Sequence, residues 1–73
     1  MKKEIIELLK DINPYIEITE ELMLLEDVLD STGILVLITE LEHKYGIEIP
    51  FENLQIEEFE TVCKIAQLVE RLS

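Results

Sequence analysis

Glu26-Asp27-Val28-Leu29-Asp30-Ser31-Thr32-Gly33 leads into an apolar-periodic run that closes on Tyr45-Gly46-Ile47-Glu48-Ile49-Pro50. Asp30 and Ser31 each carry a short side-chain oxygen that can satisfy the free amide N–H groups of a first helical turn, so a helix is expected to begin there. Ile34, Leu37, Ile38, Leu41 and Tyr45 then recur at three- and four-residue steps, which put side chains on one helical face. Gly46 is the residue that best tolerates the left-handed backbone after a helix. The pattern predicts a helix from Ser31 to Tyr45. Its first turn sets the Ser31 hydroxyl beside free N–H groups and the positive end of the helix dipole, a setting that favours a phosphodiester.

On the N-terminal side, Lys2 to Ile12 reads as a helix, with Ile5, Leu8, Leu9 and Ile12 on one face and charged residues on the other. Pro14 ends it by forcing the preceding residue out of the helical region. From Tyr15 to Leu29 the period weakens, and Thr19 is suited to cap a short turn through Glu20 and Glu21. A loop this long in a small domain needs anchors. Leu22, Leu24, Leu25 and Val28 supply apolar anchors, and Ile18, Leu22 or Leu25 is expected to pin the loop to the core, leaving Glu26 and Asp27 exposed near Ser31.

On the C-terminal side, Phe51-Glu52-Asn53-Leu54 is expected to turn, and Ile56 to Phe59 leaves room for one short helix. Thr61 is placed as N-cap of a last helix in which Val62, Ile65, Ala66, Leu68, Val69 and Leu72 recur with helical period. The fold expected is all-α: a small four-helix bundle with a short third helix. The 73 residues make a single domain spanning 1–73.

With 6 basic against 17 acidic residues the net charge is −11. Such a balance opposes binding to nucleic acid, whose phosphates would be repelled, and to anionic membrane surfaces. A basic protein surface is the matching partner. The lone Cys63 cannot form an internal disulfide, and acids interrupt the N-terminal apolar residues, so a cytoplasmic monomer without membrane insertion is expected. Self-repulsion among the acids opposes compactness, and added salt is expected to raise the melting temperature; a flat salt titration would contradict this.

Leu29-Asp30-Ser31, Leu41-Glu42 and Tyr45-Gly46-Ile47-Glu48-Ile49-Pro50 closely resemble the acyl and peptidyl carrier proteins. That resemblance implies an acyl-carrier-type bundle, a serine esterified by 4′-phosphopantetheine, and cargo held on the arm as a thioester. Carried over residue by residue, Ser31 is the attachment point and Asp30 helps present it. The implied partners are a phosphopantetheinyl transferase, an adenylating ligase for an acyl or aminoacyl group, and a downstream transferase or synthase. Thr32 stands where the family usually has a large apolar residue, and Val28 where it often has glycine. The form Leu-Asp-Ser-x-Gly is closer to the D-alanyl carriers and other discrete aminoacyl or acyl carriers. Val36 stands where many fatty-acid carriers place an acid, which makes fatty-acid synthesis the lesser reading. The favoured settings are specialised metabolism or cell-envelope modification.

The residues themselves divide the possibilities. Ser31 as a mere cap is the plain alternative, since short polar caps are common; an unmodified acidic helical adaptor for a basic partner is the matching function. Thr32, Leu35, Thr39 and Glu42 are expected along the outer flank next to the serine, where an exposed leucine suits a partner's pocket, with Glu26 and Asp27 steering basic partners. A small pocket lined by Leu37, Leu41 and Ile65 is the expected shelter for a short chain. Catalysis is not expected. His43 lies about 18 Å along the helix from Ser31 at 1.5 Å per residue, too far for a serine–histidine pair. One histidine and one cysteine do not make a zinc site, and Cys63 reads as a small buried apolar residue.

Overall fold

The computed structural model describes residues 1–50, 52 and 54–73. Helix α1, Lys2–Ile12, buries Ile5 and Leu9 and lays Ile6, Leu8 and Ile12 partly against the core. Asn13 ends it. Its N–H donates to the Leu9 carbonyl at 2.9 Å, while its side-chain Oδ1 accepts from Tyr15 N–H at 3.3 Å and turns the chain away before a helix could continue past Pro14.

The connection that follows turns at Thr19, whose carbonyl accepts from Leu22 N–H. Of the three residues expected to pin it, Ile18 is buried, whereas Leu22 and Leu25 are only half-buried, as is the further anchor Val28. The deepest anchor is Leu24, with no exposed surface. It opens a single helical turn, α2, Leu24–Asp27, that the sequence pattern did not announce. The turn is held from outside as well as within: Leu24 N–H donates to the Glu60 carbonyl at 2.8 Å, and Leu29 N–H returns to the Leu24 carbonyl at 2.7 Å.

Helix α3, Ser31–Tyr45, has the predicted bounds. Gly33, Ile34, Leu37, Ile38 and Leu41 face inward. Gly46 adopts φ 62, the left-handed conformation anticipated for the residue after the helix. Beyond it Ile47 is half-buried and Ile49 buried, while Glu48 and Pro50 are exposed, so the exit alternates in and out as an extended segment does. A Cβ on Gly46 would meet nothing within 4 Å. Gly46→Ala is therefore expected to cost only the backbone term, about 1 kcal/mol by urea denaturation, and Gly46→Asn less; equal stability of all three would contradict the assigned conformation.

The turn expected over Phe51 to Leu54 falls in part on Phe51 and Asn53, outside the described residues. A short 3-10 helix, Ile56–Phe59, follows and drives Phe59 fully into the core. Helix α4, Val62–Leu72, is capped by Thr61, whose hydroxyl accepts from Lys64 N–H at 3.3 Å, and it buries Val62, Ile65, Ala66, Leu68 and Val69. The architecture is the expected all-α bundle with a short third member, plus the extra turn α2. Cys63 differs from expectation. It is half-buried, with Sγ 3.8 Å from the Glu20 carboxylate, because it sits on the flank of α4 where the α1–α2 connection passes.

Candidate functional site

Asp30 and Ser31 compete in the sequence for the same role, and the structure separates them. Asp30 is the N-cap: its backbone is extended, and its Oδ1 accepts from Gly33 N–H at 2.7 Å. Ser31 is the first helical residue. It is exposed, and among the described residues no hydrogen bond uses its hydroxyl. The chain thus presents a free serine hydroxyl at the positive end of a 15-residue helix, with the carboxylate that caps the helix beside it.

Ser31 stands on the lip of an apolar cleft of about 240 Å³. Ile34 and Leu35 of α3 form one wall; Leu54, Ile56 and Phe59 form the other. Leu37, Leu41 and Ile65, expected to line a pocket, are fully buried in the core and border neither this cleft nor the surface. Leu54, Ile56 and Phe59 were not anticipated as site residues. One signal was present: Ile56 is an apolar residue beside two acids, and it is 55 % exposed.

The other expected residues are spread around this centre. Thr32, Leu35 and Thr39 are exposed on α3, and Glu26 and Asp27 are exposed on α2. Leu35 at 51 % and Val36 at 44 % exposure make an apolar strip along the outer face of α3. Thr39 turns its hydroxyl back to the Leu35 carbonyl at 3.0 Å. None of Glu26, Asp27 or Asp30 joins an ion pair among the described residues, where the paired acids are Glu4, Glu20, Glu58 and Glu60.

Glu42 departs from the expected outward orientation. It is half-buried, and its Oε2 accepts from Ile49 N–H at 2.9 Å, tying the exit segment back onto α3. The Glu42 and Ile47-Glu48-Ile49 portions of the motif are thus one structural clasp. Glu42→Ala is expected to lower stability by about 1.5 kcal/mol, the low end for a hydrogen bond to a charged group given the partial exposure, and Glu42→Gln, which keeps an acceptor, by less. Chemical denaturation decides this, and an unchanged midpoint for Glu42→Ala would remove the clasp.

His43 is exposed near the far end of α3. No cluster of three or more metal-ligating side chains occurs among the described residues, and no helix among them is long and apolar enough to cross a membrane.

No protein-family model matches the chain. Over 47 residues, 64 % of this chain, it is 43 % identical to D-alanyl carrier protein 1 of Lactiplantibacillus plantarum. Over that stretch the chain is similar to a carrier protein. The match spans 59 % of that relative's own length. That similarity fits the all-α bundle. It also fits the resemblance carried by Asp30-Ser31 and by the exit from Tyr45 to Pro50.

Proposed function

We propose that the chain carries an acyl or aminoacyl group on 4′-phosphopantetheine attached to Ser31, and hands it between enzymes without catalysis of its own. The observation that supports this most is the division of labour at the start of α3: Asp30 caps the helix, and the exposed Ser31 hydroxyl makes no hydrogen bond among the described residues. When bound, the group supplies a flexible arm whose terminal thiol holds cargo as a thioester.

The remaining chemistry belongs to the chain's residues. In the attachment step the Ser31 oxygen forms a bond to the pantetheine-side phosphorus of coenzyme A as the pyrophosphate P–O bond breaks. Adenosine 3′,5′-bisphosphate leaves, and the serine proton passes to a base on the Mg²⁺-dependent transferase. Asp30 fixes the first turn, so the hydroxyl is presented in one place. Glu26 and Asp27 draw in basic partners, an attraction that weakens with salt. Leu35, Val36 and Ile56 offer the apolar contact that such an encounter needs once the charges have oriented it. Tethering keeps the cargo at high local concentration for a ligase and a downstream transferase. The relative's printed name makes a D-alanyl group the first cargo to test, in cell-envelope modification, with other aminoacyl or acyl groups next.

Intact mass of the purified protein, before and after incubation with coenzyme A, Mg²⁺ and a promiscuous transferase, tests this. One added phosphopantetheine is the expected result. No addition with a broad panel of transferases overturns it in favour of an unmodified acidic adaptor, for which the strip of Leu35 and Val36 would be the binding face.

A further inference from the structure

A second depression lies on the opposite flank of the α3 N-terminus. It measures about 420 Å³ and runs between the end of α1 and the first turns of α3. Ile12, Val28 and Val36 give it apolar walls, and Asn13, Asp30 and Thr32 give it polar ones. Gly33 packs closely there: a Cβ would stand 3.3 Å from Asp30 Oδ1, 3.4 Å from Leu29 Cδ2 and 3.7 Å from Ile12 Cγ2.

The two depressions suit different parts of a prosthetic arm. Pantetheine has a carbon bearing two methyl groups, a hydroxyl and two secondary amides along its length. Among the described residues lining the apolar cleft, Ser31 alone has a side chain with a hydrogen-bonding group. An amide laid there would lose its water without replacement, at about 1–3 kcal/mol for each unpaired group. The α1–α3 groove offers both chemistries. Asn13 uses its Oδ1 for Tyr15 N–H and keeps its amide NH₂ free to donate. Thr32 is exposed, and Asp30 commits its Oδ1 to Gly33 N–H. Val36, 44 % exposed, supplies methyl surface where an acidic side chain would place charge.

We propose that the pantetheine portion of an arm on Ser31 rests in the α1–α3 groove, its paired methyl groups on Val28 and Val36 and its amides on Asn13 and Thr32, rather than in the apolar cleft. Asp30 and Thr32 flank Ser31 in sequence, so the arm has only to cross the end of the helix. The groove is open to solvent, and a few weak contacts there hold the arm without preventing its departure to a partner enzyme. This rests on attachment at Ser31.

The test uses the full chain, carbon-13 methyl-labelled and nitrogen-15-labelled, bearing an unlabelled arm whose attachment is first confirmed by intact mass. Isotope-filtered NMR is expected to show contacts from the arm's methyl groups to Val28 and Val36, and the Asn13 side-chain amide is expected to shift between apo and holo forms. In holo Asn13→Ala these contacts should weaken while the α3 amide spectrum stays in place. Contacts to Leu54, Ile56 and Phe59 instead, or a holo protein with no arm contacts, would overturn the groove alone. Failure of the mass to increase overturns the attachment, and the groove with it.

Discussion

Ser31→Ala is expected to abolish phosphopantetheine attachment and leave stability intact, while Asp30→Ala lowers stability and slows attachment without abolishing it. The asymmetry follows from which residue holds the helix end. Asp30 Oδ1 accepts from Gly33 N–H, so its loss should cost about 1 kcal/mol, as N-cap removals do. Ser31 is a helical residue with no hydrogen bond from its hydroxyl among the described residues. Alanine there removes no hydrogen bond seen among the described residues and gains about 0.5 kcal/mol in helix propensity. Attachment, in contrast, has no second acceptor at that place: Thr32 is the adjacent hydroxyl, and it lies on the other groove. Asp30→Asn separates the two parts of the aspartate's role, because asparagine caps as well as aspartate but carries no charge. It should match wild type in thermal unfolding while slowing attachment wherever the carboxylate helps to present the serine. Intact mass and thermal unfolding on the same four proteins decide it. Attachment surviving in Ser31→Ala, or a melting temperature lowered as far by Ser31→Ala as by Asp30→Ala, would reverse the assignment of cap and handle.

Local signals carried much of this site. The bounds of α3 were legible because both ends are set by residues within the helix's own first and last turns, Asp30 accepting from Gly33 and Gly46 at φ 62. The same holds for Thr61 at the start of α4. The features that escaped are those fixed across the chain. A four-residue turn such as Leu24–Asp27 has no room for a period, and it is held by the Glu60 carbonyl, a partner far away in sequence. The cleft was misplaced for a like reason. Helical spacing identifies Leu37, Leu41 and Ile65 as inward-facing, and all three are fully buried in the close-packed core. The space opens at the rim, where Leu54 and Ile56 meet Leu35, a pairing no local pattern contains. Glu42 was misjudged because its position on the helix suggested solvent, and its partner, Ile49 N–H, becomes available only after the chain has reversed at Gly46.

Phe59→Ala is expected to be the most destabilising single change in the chain's C-terminal half. Phe59 is fully buried at the end of the 3-10 helix, and truncating such a side chain costs about 4 kcal/mol through lost transfer energy and the cavity left behind. A 73-residue domain stands near the low end of natural stabilities, about 5 kcal/mol, so little margin would remain. The damage should also spread along a specific line. Glu60, the next residue, accepts from Leu24 N–H, and Leu24 accepts in turn from Leu29 N–H immediately before the Asp30 cap. Loosening Phe59 therefore loosens the α2 turn and the entry to α3 that presents Ser31, while Phe59 also floors the cleft beside that serine. Phe59→Leu keeps most of the apolar volume and should cost about 1.5 kcal/mol or less, leaving a folded protein with a wider cleft. Urea denaturation gives the two costs. Amide hydrogen exchange follows the spread, with Leu24 and Leu29 expected to lose protection in Phe59→Leu before the α1 amides do. Protection lost equally across α1, α2 and α3 would mean that Phe59 supports the bundle as a whole and that the route through Glu60 to Asp30 has no separate existence.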